Sequence, residues 1–163
     1  MTQSEVIAVH LRNAYKFAWN NSPDPSTRVG AVIITQNFGP IYGCNCLPPG
    51  LDVDLTNRAL KYKVIEHAER DAIFKATKVG YSLEGAIMYC PWAACCDCAR
   101  AIVLSGIKEV VCHGNALDQT PERWREDIGY AKKIFECGGV KYTWWYGKVD
   151  YCQNLFDGEI WYP

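Results

Sequence analysis

Three side chains widely spaced in the chain form one donor set: His67, in His67-Ala68-Glu69, and the two cysteines of Cys95-x-x-Cys98. An imidazole and two thiolates suit zinc, and three protein donors leave a fourth tetrahedral position open for water. This is the pattern of a catalytic rather than a structural metal site. Glu69 follows His67 closely enough to reach such a water as a base. Any fold adopted by this chain must bring these two segments to one point.

The second motif holds three cysteines, Cys95, Cys96 and Cys98. Helix positions three apart share a face, whereas neighbours diverge. Cys95 and Cys98 are therefore the expected ligands, and Cys96 points away as a packing residue. Cys90, Cys112, Cys137 and Cys152 read as small buried hydrophobes. Cys44 and Cys46 flank Asn45 at a strand end and read as two thiols on opposite faces. His10 falls on the first helix as a surface or half-buried residue. His113 ends a strand, and nothing in the sequence assigns it a role.

The chain has 163 residues, enough for one domain spanning 1–163 with one sizeable core. Its net charge of −1 argues against a nucleic-acid backbone binder. Nine cysteines, odd in number and irregularly spaced, do not make a disulfide framework. With no signal-like N-terminus and no membrane-length apolar run, a reducing cytoplasm is the expected setting.

Local patterns predict alternating helices and strands. Thr2 with Glu5 forms a capping box for a first helix, or Ser4 caps it. Val6, Val9, Ala14, Phe17 and Ala18 supply its apolar face, and Pro23 and Pro25 end it. Val29 to Ile34 reads as a buried strand, with Ile41 to Cys44 as its partner. Asn45 to Leu55 is a loop, and a helix from about Asn57 carries Glu66 to Lys78. Strands follow at Ala86 to Cys90, Glu109 to Cys112 and Val140 to Tyr146. Helices are expected at Ala94 to Ser105 and Pro121 to Cys137. The aromatic tail from Val149 carries no clear pattern. Such alternation implies a layered α/β sheet with helices on both faces, and ligands beyond strand ends at helix starts. His67 and Cys95 each fall near such a start, where the partial positive charge favours thiolates.

Five separated pieces occur in order: Arg28-Val29-Gly30-Ala31; Asn45-Cys46-x-Pro48-x-Gly50; His67-Ala68-Glu69-x-x-Ala72-Ile73; Cys95-x-x-Cys98-Ala99-Arg100-Ala101-Ile102; and Ser105-Gly106-Ile107-Lys108-Glu109-Val110. They give the chain, from about Asp24 to Val140, a resemblance to the cytidine deaminase superfamily, most of all to its deoxycytidylate (dCMP) deaminase branch. The zinc deaminases share an H-x-E…P-C-x-x-C signature. The resemblance implies a three-layer α/β/α sandwich around a five-stranded mixed sheet. It also implies a homohexamer, with dCTP as activator and dTTP as inhibitor, and Mg2+ accompanying a triphosphate effector. Three positions depart from the family pattern. Ala94 stands where proline is usual, Asp71 where asparagine is usual, and Cys46 where glycine is usual.

The implied reaction is hydrolysis of dCMP to dUMP and ammonia, with one zinc held by His67, Cys95 and Cys98 and with Glu69 as the proton carrier. By the same resemblance the Ala68 amide binds the base carbonyl, Asn45 contacts sugar and base, and Arg28 lies near the 5′-phosphate. Asn45 has an alternative reading as a turn former. Arg123 and Arg125 flank Trp124 after Pro121 and form either a phosphate cradle or a solvated helix face. Trp92 precedes the cysteine motif and is placed against the base. Competing readings are a deaminase of dCTP, deoxycytidine or cytosine, a tRNA adenosine deaminase disfavoured by the charge, a zinc-stabilised interaction module, and an inactive paralogue.

Overall fold

The computed structural model describes residues 1–163. Helix α1 spans Gln3–Asn21. Its capping box forms as read: Thr2 Oγ1 accepts from the Glu5 amide at 3.3 Å, and the Glu5 carboxylate accepts from the Thr2 N–H at 2.7 Å. The buried stripe is rotated from the expected one and comprises Ile7, Leu11, Ala14, Tyr15 and Ala18. Gly30 sets how closely this stripe approaches the sheet, because a Cβ there would lie 2.1 Å from the Ala14 carbonyl oxygen. Only glycine lets the helix lie this close to the sheet.

Five strands make the central sheet: β1 (Gly30–Ile34), β2 (Ile41–Cys44), β3 (Ile87–Tyr89), β4 (Glu109–His113) and β5 (Lys141–Trp145). Their spatial order is β2-β1-β3-β4-β5. Strand β1 runs antiparallel to β2 and β3, whereas β3, β4 and β5 are mutually parallel. Alternation along the pleat splits the core in two. Met88, Cys90, Val110 and Cys112 face one side, and Tyr89 and Val111 face the other. The first side packs on α3 (Ala68–Lys78), α4 (Cys96–Leu104) and α6 (Arg125–Gly138). The second packs on α1 through Ile7, Leu11 and Tyr15. The result is the three-layer α/β/α sandwich with a five-stranded mixed sheet.

Three expectations are corrected. The long helix from about Asn57 is broken into α2 (Arg58–Val64) and α3. Ile65 and His67 are extended because Glu66 pairs with Cys46 as an antiparallel bridge, through N···O distances of 3.1 and 2.8 Å. This pairing outweighs helical continuation and leaves His67 as the N-cap of α3. The helix expected from Pro121 begins instead with a 3-10 turn, Glu122–Trp124, before α6. Among the cysteines read as buried, Cys137 is exposed at the end of α6.

A four-residue helix α5 (Gly114–Leu117) follows β4. The tail forms a hairpin, β6 (Asn154–Phe156) and β7 (Glu159–Trp161). Its turn uses Asp157 and Gly158, at φ of 50° and 86°. Two successive left-handed residues match a tight hairpin turn, for which Asp-Gly is favoured. The hairpin docks on the segment after α1: the Arg28 amide donates to the Leu155 carbonyl and the Gly158 amide to the Ser26 carbonyl, both at 2.9 Å.

Candidate active site

The donor set starts from two helix N-caps, His67 for α3 and Cys95 for α4. The position of α3 depends on Gly43 in β2, where a Cβ would lie 2.2 Å from the Ala68 carbonyl oxygen. Close packing there presses the first turn of α3 onto the sheet. The start of α4 is held by α6, since the Asp127 carboxylate accepts the Cys96 amide at 2.9 Å. The Cys96 thiol donates to the Asp127 carbonyl at 3.3 Å, so this sulfur is turned away from the other two.

His67 Nδ1 lies 3.5 Å from Cys95 Sγ and 3.6 Å from Cys98 Sγ, and all three donor atoms fall within 4.8 Å of one another. Bonds of about 2.3 Å to sulfur and about 2.0 Å to nitrogen, meeting at a tetrahedral angle, put the two atoms about 3.5 Å apart. The donor set therefore fits zinc in both chemistry and spacing. Hydrogen bonding from Cys98 and the adjacent imidazole bring the Cys95 thiol down to about 4 despite its burial. Cys98 is pushed up by its bond to Cys95 and by burial. Proton and cation compete for the same sulfur lone pairs. For His67, burial acts downward, but the hydrogen bond to Cys95 and the Glu69 carboxylate outweigh it, and the net shift is upward.

A cavity of about 460 Å³ opens on this set, and His67, Cys95 and Glu69 line it. Glu69 is 4 % exposed, and burial raises its carboxyl pKa above the ordinary value, against the pull of His67. A carboxyl moved toward neutrality is suited to both accepting and returning a proton. Cys98 lies behind the wall, fully buried, and its sulfur accepts from the Arg70 guanidinium at 3.7 Å. Arg70 also bonds the Glu66 carboxylate, which in turn accepts the His67 amide at 2.9 Å. This pair orients both sides of the donor set, as partners one step removed from a metal do.

Asn45, Trp92, Arg123 and Trp124 also line the cavity. Asn45 Nδ2 donates to the Thr27 carbonyl at 3.2 Å, so its amide also shapes the loop. Trp92 stacks on Phe156 at 4.3 Å between centroids, and its indole N–H has no protein acceptor. Ala68 is buried in the first turn of α3, where an amide has no acceptor within the helix. Of the expected substrate contacts, Ala68, Arg28 and Arg125 lie outside the lining. The Arg28 guanidinium donates to the Trp19 carbonyl at 2.7 Å and to the Asp24 carbonyl at 3.3 Å. Arg125 pairs with Glu122 at 2.6 Å.

The three family departures each have a local partner. The Ala94 amide, which proline would lack, donates to the Tyr142 hydroxyl at 3.3 Å. The Asp71 carboxylate accepts the Cys44 amide at 3.0 Å and Lys75 at 2.6 Å. Residue 46 makes the bridge that breaks the helix before His67 through its backbone, which leaves the Cys46 thiol without a part in that pairing. Sequence reasoning missed Arg70, the cavity cations Arg58 and Lys61, and the hairpin residues Phe156 and Asp157. Arg70 carried a signal in its helical spacing from His67, and the hairpin carried one in Asp157-Gly158 between alternating apolar residues.

Comparison with known proteins agrees with this geometry. Residues 4–114 match the profile of the cytidine and deoxycytidylate deaminase zinc-binding region. An uncharacterised deaminase of Aliivibrio fischeri is 37 % identical over 125 residues, covering 76 % of this chain and 82 % of its own length. The deoxycytidylate deaminase of Mus musculus is 32 % identical over 140 residues, covering 78 % and 75 % respectively. The dCMP deaminase of cyanophage S-TIM5, solved with dCMP and dUMP, is 22 % identical; it superposes with a TM-score of 0.70 over 89 % of this chain and all of its own, showing a shared fold. Profile and relatives together place this chain in the cytidine and deoxycytidylate deaminase family.

Proposed function

We propose that the protein catalyses hydrolytic deamination of dCMP to dUMP with release of ammonia. One observation carries this reading: Glu69 is buried on the same cavity wall as two members of a three-donor zinc set. The choice of dCMP draws on the named activity of the Mus musculus relative and on the ligands of the S-TIM5 enzyme. His67, Cys95 and Cys98 would hold the metal. Zinc supplies Lewis acidity there, bringing the pKa of a bound water to about 7.

The remaining steps belong to the chain. Glu69 takes a proton from the water that attacks C4 and passes it to N3 of the ring. It then carries the remaining proton of the new C4 hydroxyl to the exocyclic nitrogen, the C4–N bond breaks, the C4 carbonyl forms, and ammonia leaves. The Ala68 amide, at a helix start, donates to the base carbonyl. Trp92 packs against the base, and its unpartnered indole N–H offers a further donor. Asn45 bonds the sugar. Arg123 and Trp124 close the phosphate side of the cavity, and Arg28 and Arg125 support the loop and turn beside it.

The reading extends to activation by dCTP and inhibition by dTTP, with Mg2+ on the triphosphate, in a homohexamer of single-domain chains in the cytoplasm. No helix is long and apolar enough to cross a membrane. The test is ammonia release by the zinc-loaded protein from dCMP, deoxycytidine, cytosine and dCTP, with dTTP and dCTP as additives. Preference for dCMP supports the reading; equal turnover of deoxycytidine removes the phosphate from it, and preference for dCTP replaces it.

A further inference from the structure

The cavity has a second end, built without the donor set. Three cations, Arg58, Lys61 and Arg123, and two carboxylates, Asp24 and Asp157, line it. Contacts join these residues into a circuit, closed by Lys61 Nζ lying over the Tyr62 ring at 5.9 Å from its centroid. Lys61 Nζ lies 2.9 Å from Asp24 Oδ1, which also accepts the Thr27 amide at 3.0 Å. Thr27 Oγ1 accepts the Asp157 amide at 3.1 Å, and the Asp157 carboxylate lies 3.9 Å from the Arg123 guanidinium. Trp124, next to Arg123, meets Tyr62 edge-on at 6.1 Å, and the Tyr62 hydroxyl accepts from Arg58 at 3.0 Å.

The pairings within this circuit are unequal. Lys61 and Asp24 are buried and in close contact, so each is committed to the other. Arg58 bonds a hydroxyl and keeps its charge uncompensated. The Arg123–Asp157 pair is long and half-exposed, the geometry of an ion pair that contributes little by itself. Asp157 is nonetheless fixed in place: its φ is 50° in a tight turn, its amide is bonded to Thr27, and the adjacent Gly158 amide is bonded to Ser26. A carboxylate on a fixed backbone thus stands beside a cavity arginine that it neutralises weakly. The surplus at this end is one positive charge.

We propose that Asp157 is a specificity-determining residue that limits the charge the cavity accepts at the phosphate end of its ligand. This rests on the reading of the cavity as a nucleotide site. A phosphomonoester carries roughly two negative charges near neutral pH. Arg123 and Arg58 face it, and the Asp157 side chain rotates away from Arg123 on its fixed backbone while its charge stays at the rim of the site. Each further phosphate adds negative charge that meets Asp157, with no cation left to answer it. The hairpin tip therefore selects monophosphates by repulsion of longer chains, a device of specificity distinct from added attraction.

The test is calorimetric binding of dUMP and dUDP to the zinc-loaded protein, which needs no turnover. The wild type is expected to bind dUMP more tightly. Asp157→Asn is expected to narrow the dUDP-to-dUMP Kd ratio about threefold at low salt, an effect that shrinks as salt rises. Asp157→Glu, which keeps the charge, is expected to preserve the wild-type ratio. A merely structural role for the hairpin weakens both ligands alike and leaves the ratio unchanged in Asp157→Asn. That outcome overturns the proposal, as does tighter binding of dUDP than dUMP by the wild type. Failure of the protein to deaminate dCMP, with the charge effect intact, overturns the proposed reaction instead.

Discussion

The two ends of the cavity are built on different principles. At the metal end, two short segments each begin a helix; Glu69 and Cys98 are buried, His67 and Cys95 half-buried, and backbone geometry holds them. At the other end, residues from the α1–β1 loop, α2, the 3-10 turn and the tail hairpin meet through side-chain contacts that are partly exposed. The first arrangement tolerates almost no displacement, because its tolerance is that of a metal bond. The second tolerates more, because half-exposed pairs are weak and solvent can replace them. On the proposed reading, chemistry is concentrated where the fold is rigid, and selectivity where it can vary.

The largest expected effect tests the rigid end. Glu69→Gln removes the proton carrier at nearly constant volume, and turnover is expected to fall by about 10²–10⁴-fold. Zinc content, measured by elemental analysis, is expected to stay at wild-type level. Loss of zinc in this variant would make Glu69 a metal ligand and end its assignment as acid and base. The paired comparison is Cys95→Ser against Cys96→Ser, with zinc lost in the first and kept in the second. A step down in size is Gly43→Ala, whose added Cβ meets backbone atoms of α3 at 2.2 and 2.5 Å. Overpacking of this kind costs about 1–3 kcal/mol. A lower melting temperature with reduced turnover is expected, since the segment displaced carries Ala68 and Glu69.

The same contrast sets what was legible in the sequence. Cys95 and Cys98 could be chosen over Cys96 because helical spacing alone separates them, and the Asp127 contacts of Cys96 agree with that choice. The sheet was legible too, since β1 and β2 are continuous apolar runs around a turn. The helix break before His67 was not, because it depends on pairing between Cys46 and Glu66 across a loop. Propensity favours helix there, and a long-range backbone ladder outweighs it. Arg28 shows the same limit. The family position points to phosphate, whereas here the guanidinium is committed to carbonyls of Trp19 and Asp24. The tail hairpin was within reach, for Asp157-Gly158 is a strong turn signal. Aromatic density masked the alternation around it.

Two smaller tests address the variable end. Phe156→Ala removes the stack on Trp92 and is expected to raise KM for dCMP about three- to tenfold, with zinc content unchanged, since aromatic pairs are worth about 0.5–1.5 kcal/mol beyond their buried area. An unchanged KM would remove the hairpin from the substrate wall. Acidification probes how the hairpin is held. His113 is fully buried and stacks on Trp161 of β7. Its Nε2 faces the Gly147 carbonyl at 2.8 Å and must donate, so Nδ1 accepts from the Tyr15 hydroxyl at 2.9 Å. Burial lowers its pKa, partly offset by the Gly147 bond. The neutral form thus stabilises the fold above the unfolded value of about 6.5, and that contribution is lost as pH falls through the lower folded value. Urea unfolding at pH 7 and pH 5 is expected to show a lower midpoint at pH 5, with a smaller difference in His113→Gln.

The last test separates two arginines that the sequence treats alike. Arg123 and Arg125 flank Trp124 symmetrically, and both fall at the start of a helical segment. The fold breaks the symmetry. Arg123 sits in the 3-10 turn and reaches the cavity beside Asp157, whereas Arg125 opens α6 and turns back to Glu122 at 2.6 Å. Residues two apart on a helical turn point in different directions, so only one of the two can face a given ligand. Arg123→Ala is expected to raise KM for dCMP by about tenfold, the scale of a charge-assisted hydrogen bond. Arg125→Ala is expected to change it less than about twofold, as for an exposed pair. The informative quantity is the difference between the two in parallel assays. Equal losses would mean that the turn acts as a unit through its backbone, and the phosphate end would then be as rigid as the metal end.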